Sequence, residues 1–142
     1  MATFKAELYT YVTSISGIGA VLGSPVRFYP QSAPNSAAFP FVVYQRVTET
    51  GNPHLTGQTD LAMAVYEFSI FDLTDVGATT VADFLRVNID GQNIGADFGT
   101  RNVRSSFLES ESDTYTDYGD GSQRPLQRID QDWSFIYSRS LV

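Results

Sequence analysis

Carboxylates are the side chains of this sequence whose spacing could support catalysis or the binding of a metal ion. The acidic run consists of Glu109, Glu111, Asp113, Asp117 and Asp120, with no basic residue before Arg124. On a strand, the first three of these side chains would point the same way. If the last two strands pair about a turn near residue 120, Asp130 and Asp132 lie across from them. We therefore expect one acidic face made of Glu109, Glu111, Asp113, Asp130 and Asp132.

Three kinds of chemistry compete for this acidic face. A calcium loop needs a D-x-D-x-D-G spacing followed by a distant Glu, and that spacing is absent. A pair such as Glu111 and Asp130 could hydrolyse a glycosidic bond, but a strand face in water offers no sheltered pocket to raise the pKa of an acid. The pattern favours a solvated acidic surface. Such a surface repels DNA and would suit a wall past which DNA slides.

Other reactive groups are scarce. The sequence has no Cys, a single His (His54) and a single Lys (Lys5), which excludes thiolate zinc sites, Cys nucleophiles and any site that needs two imidazoles. The net charge of −7, from 9 basic and 16 acidic residues, argues against the binding of nucleic acid through its phosphates. His54 follows a proline in a polar loop and has the character of a solvated histidine. We expect no catalytic residue, no metal and no cofactor.

Length and composition predict one folded domain over residues 1–142. Apolar residues make up 42% of the chain, enough for a packed core. Residues 1–15 lack the uninterrupted apolar stretch of a secretory signal, and no window approaches the roughly 18 apolar residues of a membrane span. We expect synthesis in a cytoplasm and no association with a membrane.

Residue periodicity predicts two helices and a set of strands. The first helix covers residues 3–14, with Phe4, Leu8, Tyr11, Val12 and Ile15 on one face. The second is capped by Thr74 or Asp75 and runs to Ile89, with an inner stripe of Val76, Thr80, Val81, Phe84, Leu85 and Asn88. Strands are predicted at residues 26–29, 41–50, 61–72, 103–115 and 126–140. Residues 51–59 and 116–125 are expected to be extended loops.

This order predicts an α+β fold. Two helices would pack on one face of a mostly antiparallel sheet of about four to five strands, with long hairpin loops. The strand at residues 61–72 is apolar on both faces, since Leu61, Met63 and Val65 oppose a second apolar row that runs from Ala62 to Ile70. One face of the sheet would therefore be left without helices but still apolar.

Two explanations for this second apolar face remain open. Loops at residues 30–38 and 92–100 could fold over it, or another subunit could cover it, because large exposed apolar patches usually mark interfaces. The long loop at residues 51–59 favours a subunit or tube contact, since long loops in compact domains tend to be functional. The candidate interface residues are Leu61, Met63, Val65, Asn52, His54 and Leu55.

Over nearly its whole length, the chain resembles the tail-completion, or tail-terminator, proteins of long-tailed bacteriophages. The matching pieces are the leading helix at residues 4–15, Arg27-Phe28-Tyr29-Pro30, the segment from Ala38 to Tyr44 that contains F-P-F-V-V, the Glu49–Leu55–Gly57 connection, the strand from Tyr66 to Asp72 that leads into the second helix, and the closing strand at residues 133–138. The order and spacing of these pieces carry the resemblance, and the acidic insertion near residues 113–124 departs from it.

The resemblance implies a binding role without catalysis, in the tail or neck of a virion assembled in the host cytoplasm. Members of that family form sixfold rings that cap the finished tail tube, stop its polymerisation and present a surface to the head connector. The implied partners are other copies of the chain, the tail tube protein, a head-completion or connector protein, and passing DNA that is not bound specifically. A head-side stopper or adaptor of the same neck is the alternative, and a carboxylate-based hydrolase is a more distant one.

Overall fold

A computed structural model describes residues 4–34, 37–54, 57–90, 95–98, 101–117 and 125–138 of the protein. Within these ranges the chain forms three helices and six strands. In chain order they are α1 (Phe4–Thr13), α2 (Ile18–Leu22), β1 (Phe28–Pro30), β2 (Phe41–His54), β3 (Gly57–Asp72), α3 (Asp75–Ile89), β4 (Gly95–Phe98), β5 (Arg101–Asp117) and β6 (Pro125–Ser138). The predicted α+β class is confirmed. No helix in the described ranges is long and apolar enough to cross a membrane.

The strands form one sheet in the order β1-β2-β3-β6-β5-β4. All neighbours are antiparallel except β1 and β2, which run parallel over three residues. The mostly antiparallel sheet is as predicted, with six strands in place of about four to five because the short β4 adds an edge beside β5. β3 and β6 lie at its centre, and their register pairs Leu61 with Ser138 and Asp72 with Gln127.

α1 buries the face that its residue spacing predicts. Phe4, Leu8 and Val12 are buried, and the ring of Phe4 stacks on that of Tyr137 with centroids 4.1 Å apart. The chain leaves this helix through Gly17, where φ is +90°, a left-handed conformation that glycine adopts without strain. It then enters α2, a short helix that the spacing does not predict.

α3 starts at its predicted cap, and its buried stripe matches the prediction in part. The hydroxyl of Thr74 accepts a hydrogen bond from the N–H of Gly77 at 3.1 Å, as expected for an N-cap. Val81 and Leu85 are buried as predicted, whereas Val76 and Thr80, expected to face inward, are exposed. The rest of the buried stripe consists of Ala78, Ala82 and Ile89. The two small alanines let the helix approach the sheet closely.

The core lies between the helices and one side of the sheet, which we call the inner face. β3 contributes the predicted row Ala62, Ala64, Tyr66, Phe68 and Ile70, and β6 contributes Ile129, Trp133, Phe135 and Tyr137. The row predicted on β3 therefore lies on one buried face, and the row on β6 follows the same period of two. The side of the sheet away from the helices is the outer face.

The connection predicted as a long loop at residues 51–59 is mostly strand. β2 continues to His54 and β3 begins at Gly57, with Pro53 paired to Gln58 and His54 to Gly57. Residues 55 and 56 lie outside the described residues. The pairing register shifts between Gly51 and Pro53, and such irregularities are where a strand accommodates a proline that cannot donate a ladder hydrogen bond. Proline and glycine therefore indicated a loop where the chain forms an irregular hairpin.

Candidate interface on the outer face of the sheet

The outer face carries an apolar patch without cover from the helices. Met63 and Val65 on β3, Ile136 on β6 and Phe107 on β5 form what we call the apolar strip. The register places Met63 beside Ile136, and Val65 and Phe107 on either side of Ser134. Met63 is 42% and Phe107 45% exposed. Adjacent apolar side chains left this open favour contact with another surface.

A loop covers one end of the outer face and leaves the apolar strip free. The connection between β1 and β2 lies over that end, and residues 31–34 with Ala37 and Phe39 line a groove of about 540 Å³ together with Phe41, Val43 and Phe71. Ser69, on the floor of this groove, is buried. None of the four residues of the apolar strip lines the groove. The expectation that residues 30–38 fold over this side is thus confirmed for one end only.

The other candidate interface residues are spread along the β2–β3 hairpin. Leu61 lies on β3 two residues before Met63, so the backbone places it further along the same row. Asn52 and His54 belong to the far end of β2, Asn52 within the register shift and His54 beyond it. Leu55 lies outside the described residues. The structure therefore brings Met63 and Val65 together on one surface and places Asn52 and His54 toward the hairpin end. Of the predicted covering loop at residues 92–100, Gly95–Phe98 pairs as an edge strand, and the remainder lies outside the described residues.

The expected single acidic face does not form, because β5 contains a β-bulge at Glu109. The register pairs Leu108 with Trp133 but Ser110 with Asp132, so one extra residue stands between them. Beyond this bulge, Glu111 pairs with Gln131 and Asp113 with Ile129, which places both acids on the inner side. Asp130 and Asp132 lie on the outer face, opposite Ser112 and Ser110. The prediction that all five carboxylates share one face is wrong, since strict alternation fails at a bulge.

One of the two acids on the inner side, Glu111, is held in a hydrogen-bonded network. Arg86 on α3 donates to both carboxylate oxygens of Glu111, at 2.9 and 2.8 Å, and also pairs with Asp83. The side-chain amide of Gln131, which is fully buried, donates to Glu111 at 2.8 Å. The hydrogen bond to Asp83 is the largest cause that raises the pKa of Arg86, and the hydrogen bond to Glu111 is the second. Glu111 therefore joins α3 to the sheet, and it cannot pair across the sheet with Asp130 as a hydrolase would require.

A different acidic group occupies the outer face. Glu67 on β3 stands directly opposite Asp132 on β6, and Asp130 is one step along the same row; we call these three residues the acidic cluster. The guanidinium of Arg128 accompanies them: it donates to Asp130 at 2.8 Å and lies over the ring of Phe71. Desolvation, followed by repulsion from Asp130 and Asp132, raises the pKa of Glu67 above its ordinary value of 4.5. In the described part of the chain, no three carboxylate or imidazole groups are arranged to hold a metal ion.

We predict that Glu67→Gln stabilises the protein at neutral pH and that this gain disappears on acidification. Because the pKa of Glu67 is higher in the fold than in the unfolded chain, the folded state binds the proton more tightly. The contribution of Glu67 to stability is therefore greatest below its unfolded pKa and falls as pH rises through its folded pKa. Gln mimics the protonated form at every pH.

Urea denaturation from pH 4 to pH 8 measures this effect. The free energy of unfolding of Glu67→Gln should exceed that of the wild type at pH 8, and the difference should shrink toward pH 4. Glu109→Gln, at an exposed position on β5, is the matched control and should show no comparable change. A Glu67→Gln variant less stable than the wild type at pH 8 would contradict the electrostatic argument.

Glu67, Phe107 and Ile136 belong to this surface but were not among the predicted site residues. The signal for Glu67 is the period of two, which carries the row Leu61, Met63 and Val65 onward to Glu67. Ile136 alternates in the same way with the buried Phe135 and Tyr137. Phe107 lies just before the bulge at Glu109. The face of the sheet on which Phe107 lies therefore becomes clear only from the pairing of β5 with β6.

Comparison with known proteins finds a similarity of fold. No known family model and no curated protein matches the chain. Among solved structures, the fold is similar to a chain of the "Virion of native gene transfer agent (GTA) particle", with a TM-score of 0.64 and 14% sequence identity over 92% of this chain and 91% of that chain. The likeness shows that the two chains share a fold over nearly their whole length.

Proposed function

We propose that this protein is a structural component of a phage-like virion, where it forms a ring that caps the tail tube and joins it to the head. The observation that carries this proposal is the shared fold with a chain of a gene transfer agent virion, which extends over more than nine-tenths of both chains. The sequence resemblance to tail-terminator proteins supports the more specific assignment to the tail end. The role is one of assembly, without catalysis.

The open outer face supports a ring. A subunit whose apolar strip is covered by a different patch of its neighbour makes a head-to-tail contact, and repeated contacts of this kind close into a ring when the rotation allows it. Six is the number that the family resemblance implies. Met63 and Val65 are our candidates for the subunit contact, with Leu61 in the same row. Asn52, His54 and Leu55 are candidates for contact with the tail tube.

The acidic residues suit different surfaces of such a ring. Glu109 and Asp113 on β5 are exposed, and we assign them to the channel wall, where negative charge lets DNA pass without binding. Glu111 is engaged by Arg86 and contributes less free charge. Asp130 and Asp132 lie on the opposite side of the sheet from Asp113, among the residues assigned to the subunit contact. The proposed partners are other copies of the chain, the tail tube protein, a head-side connector and passing DNA.

Deleting the gene from the particle-producing genome tests the proposed function. Electron microscopy of the lysate should show headless tails with tubes of uncontrolled length, because nothing ends their polymerisation. Supplying the wild-type protein in trans should restore normal tails, and Val87→Arg, at an exposed site on α3, should do the same.

Three results separate the alternatives. Normal infectious particles without the gene would refute a role in the virion. Tails of normal length beside filled heads that fail to join would assign the protein to the head side of the neck. Purified wild-type protein that stays monomeric both alone and with isolated tails would refute the ring.

A further inference from the structure

The outer face presents its charge and its apolar surface in adjacent rows. Across β3, β6 and β5, one row is Glu67, Asp132 and Ser110, and the next is Val65, Ser134 and Phe107. Equivalent positions in successive rows are two residues apart along a strand, which is roughly 7 Å. A surface that fits this face would therefore carry a positive group and an apolar group about that far apart.

Within the described part of the subunit, the acidic cluster carries three carboxylates against one guanidinium, that of Arg128. Arg128 pairs with Asp130, and Ser110 donates a neutral hydrogen bond to Asp132 at 3.0 Å. Glu67 and Asp132 face each other across the strand pair, and like charges in that arrangement are unfavourable. A guanidinium supplied from outside would reduce this repulsion, and the neighbouring apolar strip would be buried by the same contact.

The chain itself displays an exposed guanidinium next to an exposed apolar side chain, at Arg46 and Val47. The pairing of β2 with β3 shifts between Arg46 and Thr48, which leaves Val47 as the extra residue of a bulge. The side chain of Arg46 is 55% exposed, and its ion pair with Glu49 is long, at 3.6 Å. Val47 is 53% exposed. β1 pairs only with residues 42–44 of β2, so the sheet edge beside this bulge carries no β1 partner.

We propose that the Arg46–Val47 bulge of one subunit docks on the outer face of a second copy. Arg46 binds between Glu67 and Asp132, and Val47 packs on Val65 and Phe107. This proposal rests on the ring described above and identifies its subunit contact. The two patches lie on different parts of the subunit, one at a sheet edge and the other on a sheet face, so each copy uses both and the contact is head-to-tail.

Charge reversal tests the contact directly. Arg46→Glu and Asp132→Lys should each weaken self-association by roughly tenfold or more, because a like-charge pair replaces an attractive one. The double variant, Arg46→Glu with Asp132→Lys, should recover assembly, since the opposite charges meet again with their positions exchanged. Sedimentation velocity of each protein, alone and with isolated tails, measures association. Asp75→Lys, at an exposed acid in the first turn of α3, is the matched control for an acid outside the contact and should assemble as the wild type does.

The outcomes distinguish this proposal from the proposed function. If the wild type forms rings and Arg46→Glu forms them equally well, the contact is wrong and the ring stands. If both single variants and the double variant fail to assemble while their circular dichroism spectra match the wild type, the two residues do not pair and the contact is wrong. If the wild type forms no ring alone or on tails, the proposed function itself is overturned.

Discussion

Replacing Trp133 by alanine is expected to lower the free energy of unfolding by about 3–5 kcal/mol. The indole is fully buried at the centre of the sheet, with its ring centroid 6.0 Å from that of Phe68 and 6.4 Å from that of Phe135. Its N–H donates to Gln131 at 3.1 Å. Removing the indole leaves a large cavity between the helices and the sheet, because neighbours on two paired strands cannot move independently to fill it.

Guanidinium denaturation followed by circular dichroism at 222 nm measures this loss. Trp133 is the only tryptophan, so intrinsic tryptophan fluorescence cannot follow the variant. Val87→Ala removes an exposed apolar side chain from α3 and should change stability by less than about 0.5 kcal/mol. If Trp133→Ala is too unstable to purify, Trp133→Phe should still fold and show a smaller loss. A loss below about 1 kcal/mol for Trp133→Ala would mean that the site is not the centre of the core.

Replacing Gln131 by leucine is expected to cost about 2–4 kcal/mol, although the two side chains have similar volume. The amide nitrogen of Gln131 donates to the carbonyl of Ala82 at 3.1 Å and to Glu111 at 2.8 Å, and its oxygen accepts from Trp133. Leucine would fill the space but leave the Trp133 N–H and the Ala82 carbonyl without this partner. Buried polar groups without partners destabilise a fold by their lost hydration.

Thermal and urea unfolding of Gln131→Leu measure the effect. Gln45→Leu, at an exposed position on β2, makes the same chemical change where water can replace the hydrogen bonds, and it should be close to neutral. A Gln131→Leu variant as stable as the wild type would show that packing outweighs hydrogen bonding at this position. An expected secondary effect is looser attachment of α3, which hydrogen exchange in that helix would detect.

The parts of the fold that were predicted correctly are those in which apolar residues recur at regular spacing. On β6 the buried Trp133, Phe135 and Tyr137 stand at every second position, and α1 repeats apolar residues at spacings of three and four. These patterns are local, and burial of the apolar side is enough to specify the side that faces the core. The α+β class followed from the order of such segments. The packing stripe of α3 was predicted only in part: Val81 and Leu85 are buried as expected, but the small Ala78 and Ala82 give no apolar signal of their own in the sequence.

The candidate site was predicted less well because β-bulges determine which face of the sheet its residues lie on. Met63 and Val65 could be assigned to the outer face by alternation alone. The positions of Glu111 and Asp113 could not, since one extra residue at Glu109 reverses the sides of everything that follows it. No residue type marks such a bulge in the sequence, and it becomes visible only from the pairing of β5 with β6. The same holds for Val47, whose exposure results from a register shift between two strands.

The bulge at Glu109 also decides which acids share a face of the sheet. If β5 paired with β6 in unbroken alternation from Leu108 onward, Glu109 would stand opposite Asp132 and Glu111 opposite Asp130. Glu109 and Glu111 would then join Asp130 and Asp132 in a ladder of four carboxylates, while Arg86 and Gln131 would lose their shared acceptor. The single extra residue thus separates two sets of negative charge by the thickness of the sheet, Glu111 and Asp113 on one side and Asp130 and Asp132 on the other.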